Sequence, residues 1–172
     1  MENTFKGIKV YYSGSMQGVQ EQDLDFPKKL VDFMQDNGAK VLSYHVALGK
    51  EEGNKLLFQQ MRIDPKKVTI ENLSRIIRQQ DIGWVDEADC VVALVNSPSL
   101  GVGMELQRAV DKEKLGMKKT PILCLVRDDL KDKLSFMVSG INADESDVFY
   151  LRAYKNLEEA QKHIFDFLTI ID

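Results

Sequence analysis

The sequence predicts an α/β fold in which one doubly wound, five-stranded parallel sheet is flanked by helices, a flavodoxin-like arrangement. Two observations predict it. Short apolar runs alternate along the chain with longer amphipathic runs, a pattern typical of parallel strands joined by crossover helices. The run from Ala88 to Val95 is almost continuously apolar, which is typical of a central strand covered on both faces.

The first half of the chain supplies two strands. Gly7 to Tyr12 is predicted as a buried strand, and Leu24 to Asp36 as a helix, because its apolar residues recur at helical spacing. Ala39 to Ser43 is predicted as the second strand. The charged segment from 49 to 67 is predicted as solvated surface with one short helix, Lys55 to Met61, and is an insertion or lid candidate.

The second half alternates more regularly. Glu71 to Glu87 and Val102 to Leu115 are predicted as the helices on either side of the Ala88 to Val95 strand. The remaining elements follow in order: strand Pro121 to Val126, short helix Leu134 to Ser139, strand Asp147 to Leu151 and closing helix Leu157 to Ile171.

Composition limits the function classes. The 172 residues suit a single domain spanning 1–172, and 27 acidic against 23 basic residues argue against a nucleic acid polymer as partner. Cys90 and Cys124 lie in apolar runs, so buried free thiols are expected. No metal-ligand cluster, cofactor fingerprint or membrane span is evident, so we expect no metal, no cofactor, no membrane partner and a soluble cytoplasmic protein, or a nuclear one in a eukaryote.

Residues that could bind a ligand or take part in catalysis follow the predicted strands. After the central strand, Asn96 to Glu105 contains two glycines, and Ser99 is placed to cap a helix whose free N–H groups attract anions such as phosphate. A capped helix with glycines needed only for packing explains the same spacing equally well. Glu105 lies about one turn into this helix, where a carboxylate stays ionised or simply complements the dipole.

Two further segments are candidates. Asp81 lies beside Gly83 on an otherwise apolar helix face, a local irregularity that favours a working site, although an exposed polar stripe would also explain it. Tyr11 and Tyr12 alternate between the two faces of the first strand, and small residues from Ser13 to Gly18 follow it. The Rossmann fingerprint and the Walker A lysine are both missing, so nicotinamide and P-loop chemistry are poorly supported.

Together the segments resemble one family. The motifs VYYSGS, YHVAL, QQDIGWVDEADCVVALV, PSLGVGMELQRAV, PILCLV and LSFMVSG match the order and spacing of the 2'-deoxynucleoside 5'-phosphate N-hydrolases, in the nucleoside 2-deoxyribosyltransferase superfamily. The resemblance extends from Ile8 to Ile141. Its specific part is the joint occurrence of Y-x-x-G-S, Q-D-x-x-W and S-L-G-V-G-x-E-L.

The resemblance implies a reaction and a catalytic set. Glu105 would attack the anomeric carbon of a nucleoside 5'-monophosphate, Asp81 would hold the sugar and assist proton transfer to the base, and Tyr11 would orient Glu105. Splitting the displacement into two steps through a covalent sugar–enzyme intermediate lowers each barrier. The products would be free base and 2-deoxyribose 5-phosphate.

The resemblance also implies the substrate-binding positions. His45 would lie near the base, and the phosphate would be held by the residues of two loops and a partner: Gly14, Ser15, Gln17, Ser99, Gly101 and Ser135. Ser135 would reach the phosphate of the neighbouring subunit, which implies a homodimer. Gln17 stands where the family often has an arginine, a loss of charge that Arg127 or a lysine between 50 and 67 could replace.

Two other functions remain open from the sequence. A deoxyribosyltransferase would exchange bases on unphosphorylated nucleosides with the same carboxylates. A nucleotide-binding module would bind without turnover.

Overall fold

The sheet has the predicted class. The structure is a computed structural model that describes residues 4–16, 25–144 and 147–171. Its five strands are all parallel, in the order β2-β1-β3-β4-β5. The strands are β1 (Lys9–Gly14), β2 (Lys40–Val41), β3 (Cys90–Leu94), β4 (Ile122–Arg127) and β5 (Phe149–Tyr154).

Helices cover both faces of this sheet. They are α1 (Phe26–Asp36), α2 (Lys50–Met61), α3 (Ile70–Glu87), α4 (Leu100–Asp111), α5 (Phe136–Asp144) and α6 (Leu157–Thr169). Short 3-10 segments occupy Tyr44–Leu48, Pro65–Lys67 and Asp128–Lys133. The doubly wound α/β fold predicted from the sequence is therefore confirmed.

The core is divided by the sheet into two layers. One layer joins α1 and α6 to the face of the sheet that carries Tyr12, and the other joins α3, α4 and α5 to the face that carries Tyr11. Both tyrosines are buried, so the alternation predicted for β1 is confirmed. Tyr11 consequently points towards the helices on either side of β3.

The strand order creates a crevice at one edge of the sheet. The chain runs from β1 outward to β2 and then returns past β1 to β3, so the direction of winding reverses between β1 and β3. Ligands of such folds bind where the connections diverge, at the carboxyl ends of these two strands. Gly14 and Leu94, the last residues of β1 and β3, lie side by side at this edge, since they are partners in the register.

Strand β2 is shorter than predicted because a side chain takes over its pairing. Ser43 Oγ accepts a hydrogen bond from the backbone N–H of Tyr12 at 2.8 Å and donates to its carbonyl at 2.7 Å. These are the backbone groups of β1 that a longer β2 would pair with. The chain therefore leaves the sheet after Val41 and turns into the segment that carries His45.

The charged segment is more ordered than the sequence indicated. Helix α2 begins at Lys50, and its Leu57 is buried, so the prediction of solvated surface with a short helix from Lys55 is wrong for the first turn. Gly53 explains the close packing: a Cβ there would lie 2.2 Å from the carbonyl oxygen of His45. That the segment is an insertion or lid stays a prediction.

Both cysteines lie in the core. Cys90 and Cys124 are buried free thiols as predicted, and burial raises the pKa of both.

Among the helices of the described ranges, none combines the length and apolarity needed to cross a bilayer.

We predict that Gly53→Ala destabilises the fold by about 1 to 3 kcal/mol, because the new methyl group overlaps the His45 carbonyl and forces α2 away. Urea unfolding measures the change. Gly83→Ala is the matched control, since a Cβ there meets nothing within 4 Å. Alanine at that helical position should stabilise by about 0.5 to 1 kcal/mol. Equal midpoints for the two variants would contradict the packing argument.

Candidate active site

The Glu105 carboxylate is held at the carboxyl end of β1. Ser13 Oγ donates a hydrogen bond of 2.5 Å to Glu105 Oε2, and the serine itself is fully buried. A bond this short is typical of a hydroxyl that donates to an ionised carboxylate. Burial raises the pKa of Glu105, whereas the Ser13 and Tyr11 hydroxyls lower it. The carboxylate is thus kept dry but supplied with donors.

Tyr11 lies two residues before Ser13 on the same face of β1. Its hydroxyl is buried and lies close enough to the Glu105 carboxylate to lower the pKa of that group, although it makes no well-aligned hydrogen bond to any described residue. Burial raises the pKa of Tyr11 first, and the charges of Glu105 and Asp81 raise it further. The phenol therefore stays protonated, and its O–H remains available as a donor close to two carboxyl groups.

Asp81 reaches the same place from α3. Its Oδ1 is buried and has no hydrogen-bond partner among the described residues. Burial, followed by the charge of Glu105, raises the pKa of Asp81 from 3.8 to about 7. This carboxyl group therefore holds its proton below about pH 7 and is about half protonated at pH 7. It can therefore donate that proton to a group that enters the crevice.

The three side chains form one cluster with unbalanced charge. Asp81 and Tyr11 both respond to the charge of Glu105, which places the two acids in a shared environment. No basic side chain of the described ranges contributes to the pKa of either acid. Such a cluster stabilises a developing positive charge and disfavours a bound anion at the same point.

His45 and Trp84 border the cluster. The two rings lie with centroids 5.5 Å apart, and Trp84 follows Asp81 by about one turn of α3. His45 is buried, its Nδ1 has no partner within the described part of the chain, and burial lowers its pKa to about 4. The imidazole is therefore neutral at physiological pH and offers a nitrogen to a ligand.

The start of α4 is built as predicted. Ser99 is the N-cap, and its Oγ accepts from the backbone N–H of Val102 at 3.4 Å. The Asn96 side chain braces the preceding loop, since it donates to Tyr154 Oη at 2.5 Å and accepts from the N–H of Arg127 at 2.7 Å. Gly101 follows in the first turn of α4, where backbone N–H groups are unpaired within the helix.

The remaining predicted binding residues are more dispersed. Gly14 and Ser15 lie at the carboxyl end of β1, both partly exposed. Ser135 is exposed at the start of α5, and its hydrogen bonds to described residues, including those to Met137 and Ser139, are made within that helix. Gln17 lies outside the described residues. Arg127 pairs with Asp129 at 2.5 Å, so it is engaged elsewhere in this structure.

A separate cavity of about 180 Å³ lies at the opposite edge of the sheet, near Thr120 and Val148. Its charged side chains include Lys119 and Asp147, which pair with each other. Asp81, Glu105 and the hydroxyl groups near them do not line this cavity, so it is separate from the candidate active site. Within 4–16, 25–144 and 147–171, no three His, Cys, Asp or Glu residues are grouped as metal ligands.

Sequence reasoning missed two contributors to the site. Ser13 is the direct donor to Glu105, and the period of two along β1 would have placed it beside Tyr11. Trp84 contacts His45, and its helical spacing from Asp81 was the corresponding signal. Both residues lie within the motifs that carry the family resemblance, although neither was predicted as a site residue.

Comparison with known proteins identifies relatives of nearly the same length. No protein-family model matches the chain. A "5-hydroxymethyl-dUMP N-hydrolase" of Tetraodon nigroviridis is 34% identical over 162 residues, covering 94% of this chain and 98% of that protein. A "Putative 2'-deoxynucleoside 5'-phosphate N-hydrolase 1" of Nematostella vectensis is 32% identical, covering 94% of each chain. A protein of the same name from Methanosarcina mazei is 31% identical, covering 94% of this chain and 84% of its own.

We predict that Asp81→Asn stabilises the fold increasingly as the pH rises. Folding raises the pKa of Asp81 to about 7, so the unfolded chain loses this proton at a lower pH than the native protein does. The native carboxyl group therefore lowers the free energy of unfolding increasingly from about pH 4 to about pH 7, and the full loss persists at higher pH. At about pH 8 the gain should be roughly 2 to 4 kcal/mol, and at about pH 4 it should be small.

Urea unfolding at the two pH values measures this difference. Asp166→Asn, which makes the same substitution at an exposed position of α6 remote from the site, is the matched control. A gain for Asp81→Asn that is the same at both pH values would contradict the raised pKa.

Proposed function

The chain belongs to the 2'-deoxynucleoside 5'-phosphate N-hydrolase family, and we propose that it hydrolyses the N-glycosidic bond of 2'-deoxynucleoside 5'-monophosphates. The products are the free base and 2-deoxyribose 5-phosphate. The observation that supports this most is the buried pair of Asp81 and Glu105, which has no basic partner among the described residues and is served by the Ser13 and Tyr11 hydroxyls. Sugar chemistry of this kind passes through a cationic transition state that carboxylates stabilise.

The two acids divide the work in the proposed first step. Glu105 accepts a hydrogen bond from Ser13 and is the better anion, whereas Asp81 Oδ1 has no donor in the described part of the chain and holds a proton up to about pH 7. A Glu105 oxygen forms a bond to C1' as the bond between C1' and the base nitrogen breaks. The electron pair of that bond goes to the base, which receives the proton of Asp81.

The second step restores the enzyme. Water attacks C1' of the sugar–Glu105 ester, its proton passes to the Asp81 carboxylate, and the Glu105 carboxylate leaves. Tyr11 and Ser13 hold the Glu105 oxygens in place in both steps. Each side chain thus returns to its starting protonation state.

Substrate recognition is proposed at the two flanks of the acids. The start of α4, with Ser99 and Gly101, and the end of β1, with Gly14 and Ser15, take the 5'-phosphate through hydroxyl and N–H donors. Neutral His45 faces the base. Binding energy from the phosphate, remote from the breaking bond, positions the sugar.

A homodimer is proposed as the functional unit. Leu100 and Met104 on α4 and Phe136 and Met137 on α5 are 66–93% exposed, and these helices follow neighbouring strands on one face of the sheet. Apolar side chains grouped in this way are typical of an interface. Ser135 lies within this region, which is where a residue must lie if it serves the partner's phosphate site.

We predict that chromatography of reactions with a panel of deoxynucleoside monophosphates, 5-hydroxymethyl-dUMP included, detects free base. Glu105→Gln should lower kcat/KM by about 10³-fold or more, because the nucleophile is lost. The activity should fall above about pH 7 as Asp81 loses its proton.

Glu158→Gln, on the exposed face of α6, is the matched control and should keep full activity. A second free base added to the reaction separates the alternatives, since a transferase would produce the exchanged nucleoside. Intact substrates across the panel, or full activity of Glu105→Gln, would refute the proposal.

We predict that light scattering gives the mass of a dimer and that Phe136→Asp gives a monomer, because a charge is placed in the apolar contact. The shared site is tested by mixing inactive Glu105→Gln with Ser135→Ala subunits. A mixed dimer contains one site with both native residues, so about a quarter of the wild-type activity should return. A mixture no more active than its separate components would show that Ser135 does not act across an interface.

A further inference from the structure

One stripe of α4 carries three charged residues that face α3. Glu105, Arg108 and Lys112 are spaced three and four residues apart, which places them on the same side of a helix. Lys112 directly follows the last helical residue as the C-cap. Glu105 belongs to the acid cluster, whereas Arg108 and Lys112 both bind the last turn of α3. The interface between the two helices therefore has an acidic end and a cationic end.

Arg108 binds α3 through a two-pronged ion pair. Its Nε and Nη2 donate to the two carboxylate oxygens of Asp86, each at 2.8 Å. The side chains of the pair are 30% and 27% exposed, so they are partly removed from water. Paired hydrogen bonds of this kind define orientation as well as distance.

Lys112 binds the backbone at the end of the same helix. Its Nζ donates to the carbonyl of Val85 at 3.0 Å and to that of Ala88 at 3.1 Å, and the residue is 1% exposed. The last carbonyls of a helix lack intrahelical partners and carry partial negative charge, which favours a cation there. Burial lowers the pKa of Lys112. If α3 moved away, the Lys112 ammonium group would lose these two carbonyl acceptors and would remain buried without a partner. The contact therefore resists movement of α3 relative to α4.

We propose that Arg108 and Lys112 are positioning residues that clamp the end of α3 against α4 and so define the separation of Asp81 and Glu105. The inference rests on the proposed function for its kinetic consequence. Asp86 follows Asp81 by five residues and Arg108 follows Glu105 by three, so the clamp lies about 5 to 8 Å along the helices from the acids.

Electrostatic repulsion between the two acids tends to separate α3 from α4. Asp81 and Glu105 repel each other when both are ionised, and no basic side chain of the described ranges contributes to the pKa of either. Without a restraint the two helices would relax apart at the acidic end. Attraction at the cationic end of the same interface resists that movement.

The test distinguishes a displacement of the two helices from a simple change in net charge near Asp81. The double variant Asp86→Asn/Arg108→Gln removes the ion pair without changing the net charge, and Lys112→Met removes the second contact while keeping the side chain's length. Glu105 on α4 and Tyr11 on β1 are the titratable groups that interact with Asp81, His45 borders the cluster, and all three are retained. Lys162→Ala, which removes an exposed cation from α6, is the control.

Carboxyl ¹³C NMR follows the titration of Asp81 and requires no turnover. Looser helices weaken the repulsion by Glu105, so the pKa of Asp81 should fall by about 0.5 to 1 unit in the double variant. In Arg108→Gln the Asp86 carboxylate loses its cation, and the added net negative charge near the acids favours the protonated form of Asp81, which acts in the opposite direction. The pKa of Asp81 should therefore be lower in the double variant than in Arg108→Gln.

Kinetics provide the second readout. Misplacement of reacting groups should lower kcat by about 10- to 100-fold in the double variant, with KM changed by no more than about threefold. Arg108→Lys keeps the charge and should recover part of the loss, and it replaces the double variant if that one does not fold. The control should match the wild type in both measurements.

The outcomes are distinguishable. A folded double variant in which the pKa of Asp81 and kcat are both unchanged, or in which only the melting temperature falls, would overturn the clamp. If the wild type hydrolyses no nucleotide, the proposed function fails. The NMR titration still decides whether the clamp positions Asp81.

Discussion

Repulsion between Asp81 and Glu105 in a dry crevice governs the organisation of the site. Two ionised carboxyl groups in one buried environment are costly, so the pair retains a proton up to about pH 7. The surroundings decide which carboxyl group holds this proton, because Ser13 donates to Glu105 whereas Asp81 Oδ1 has no donor among the described residues. An acid and a nucleophile thus arise from two similar groups. The same asymmetry makes Asp81 a source of instability that the rest of the fold must offset.

The sheet topology explains why residues so remote in sequence converge. Asp81 comes from the helix before β3 and Glu105 from the helix after it, while Tyr11 and Ser13 come from β1, the neighbour of β3. All four lie on the face of the sheet that α3, α4 and α5 cover, or at its carboxyl edge. The reversal of winding between β1 and β3 opens the crevice there. Helix packing then determines how closely the two acids approach.

Patterns with a local physical cause were predictable from the sequence. The continuous apolar run of β3, the alternation of Tyr11 and Tyr12 and the Ser99 cap each depend on a few neighbouring residues. Features that depend on remote partners were not predictable. Ser43 shortens β2 only because it meets the backbone of Tyr12, and the first turn of α2 packs closely only because Gly53 meets the His45 carbonyl. The ion pair of Asp86 with Arg108 likewise needs the two helices in contact. The roles of the site residues stay predictions of the family resemblance, since they depend on the position of a bound substrate.

Opposite electrostatic demands are met along one helix. The proposed substrate carries a phosphate anion at one end of its sugar and develops positive charge at C1' at the other. The positive end of the α4 dipole, which Ser99 caps, suits the anion, whereas Glu105 in the second turn suits the cation. An unphosphorylated nucleoside would use only the second of these. It would leave the start of α4 to water and would lose the remote binding energy that holds C1' against Glu105, so the arrangement favours a phosphorylated substrate.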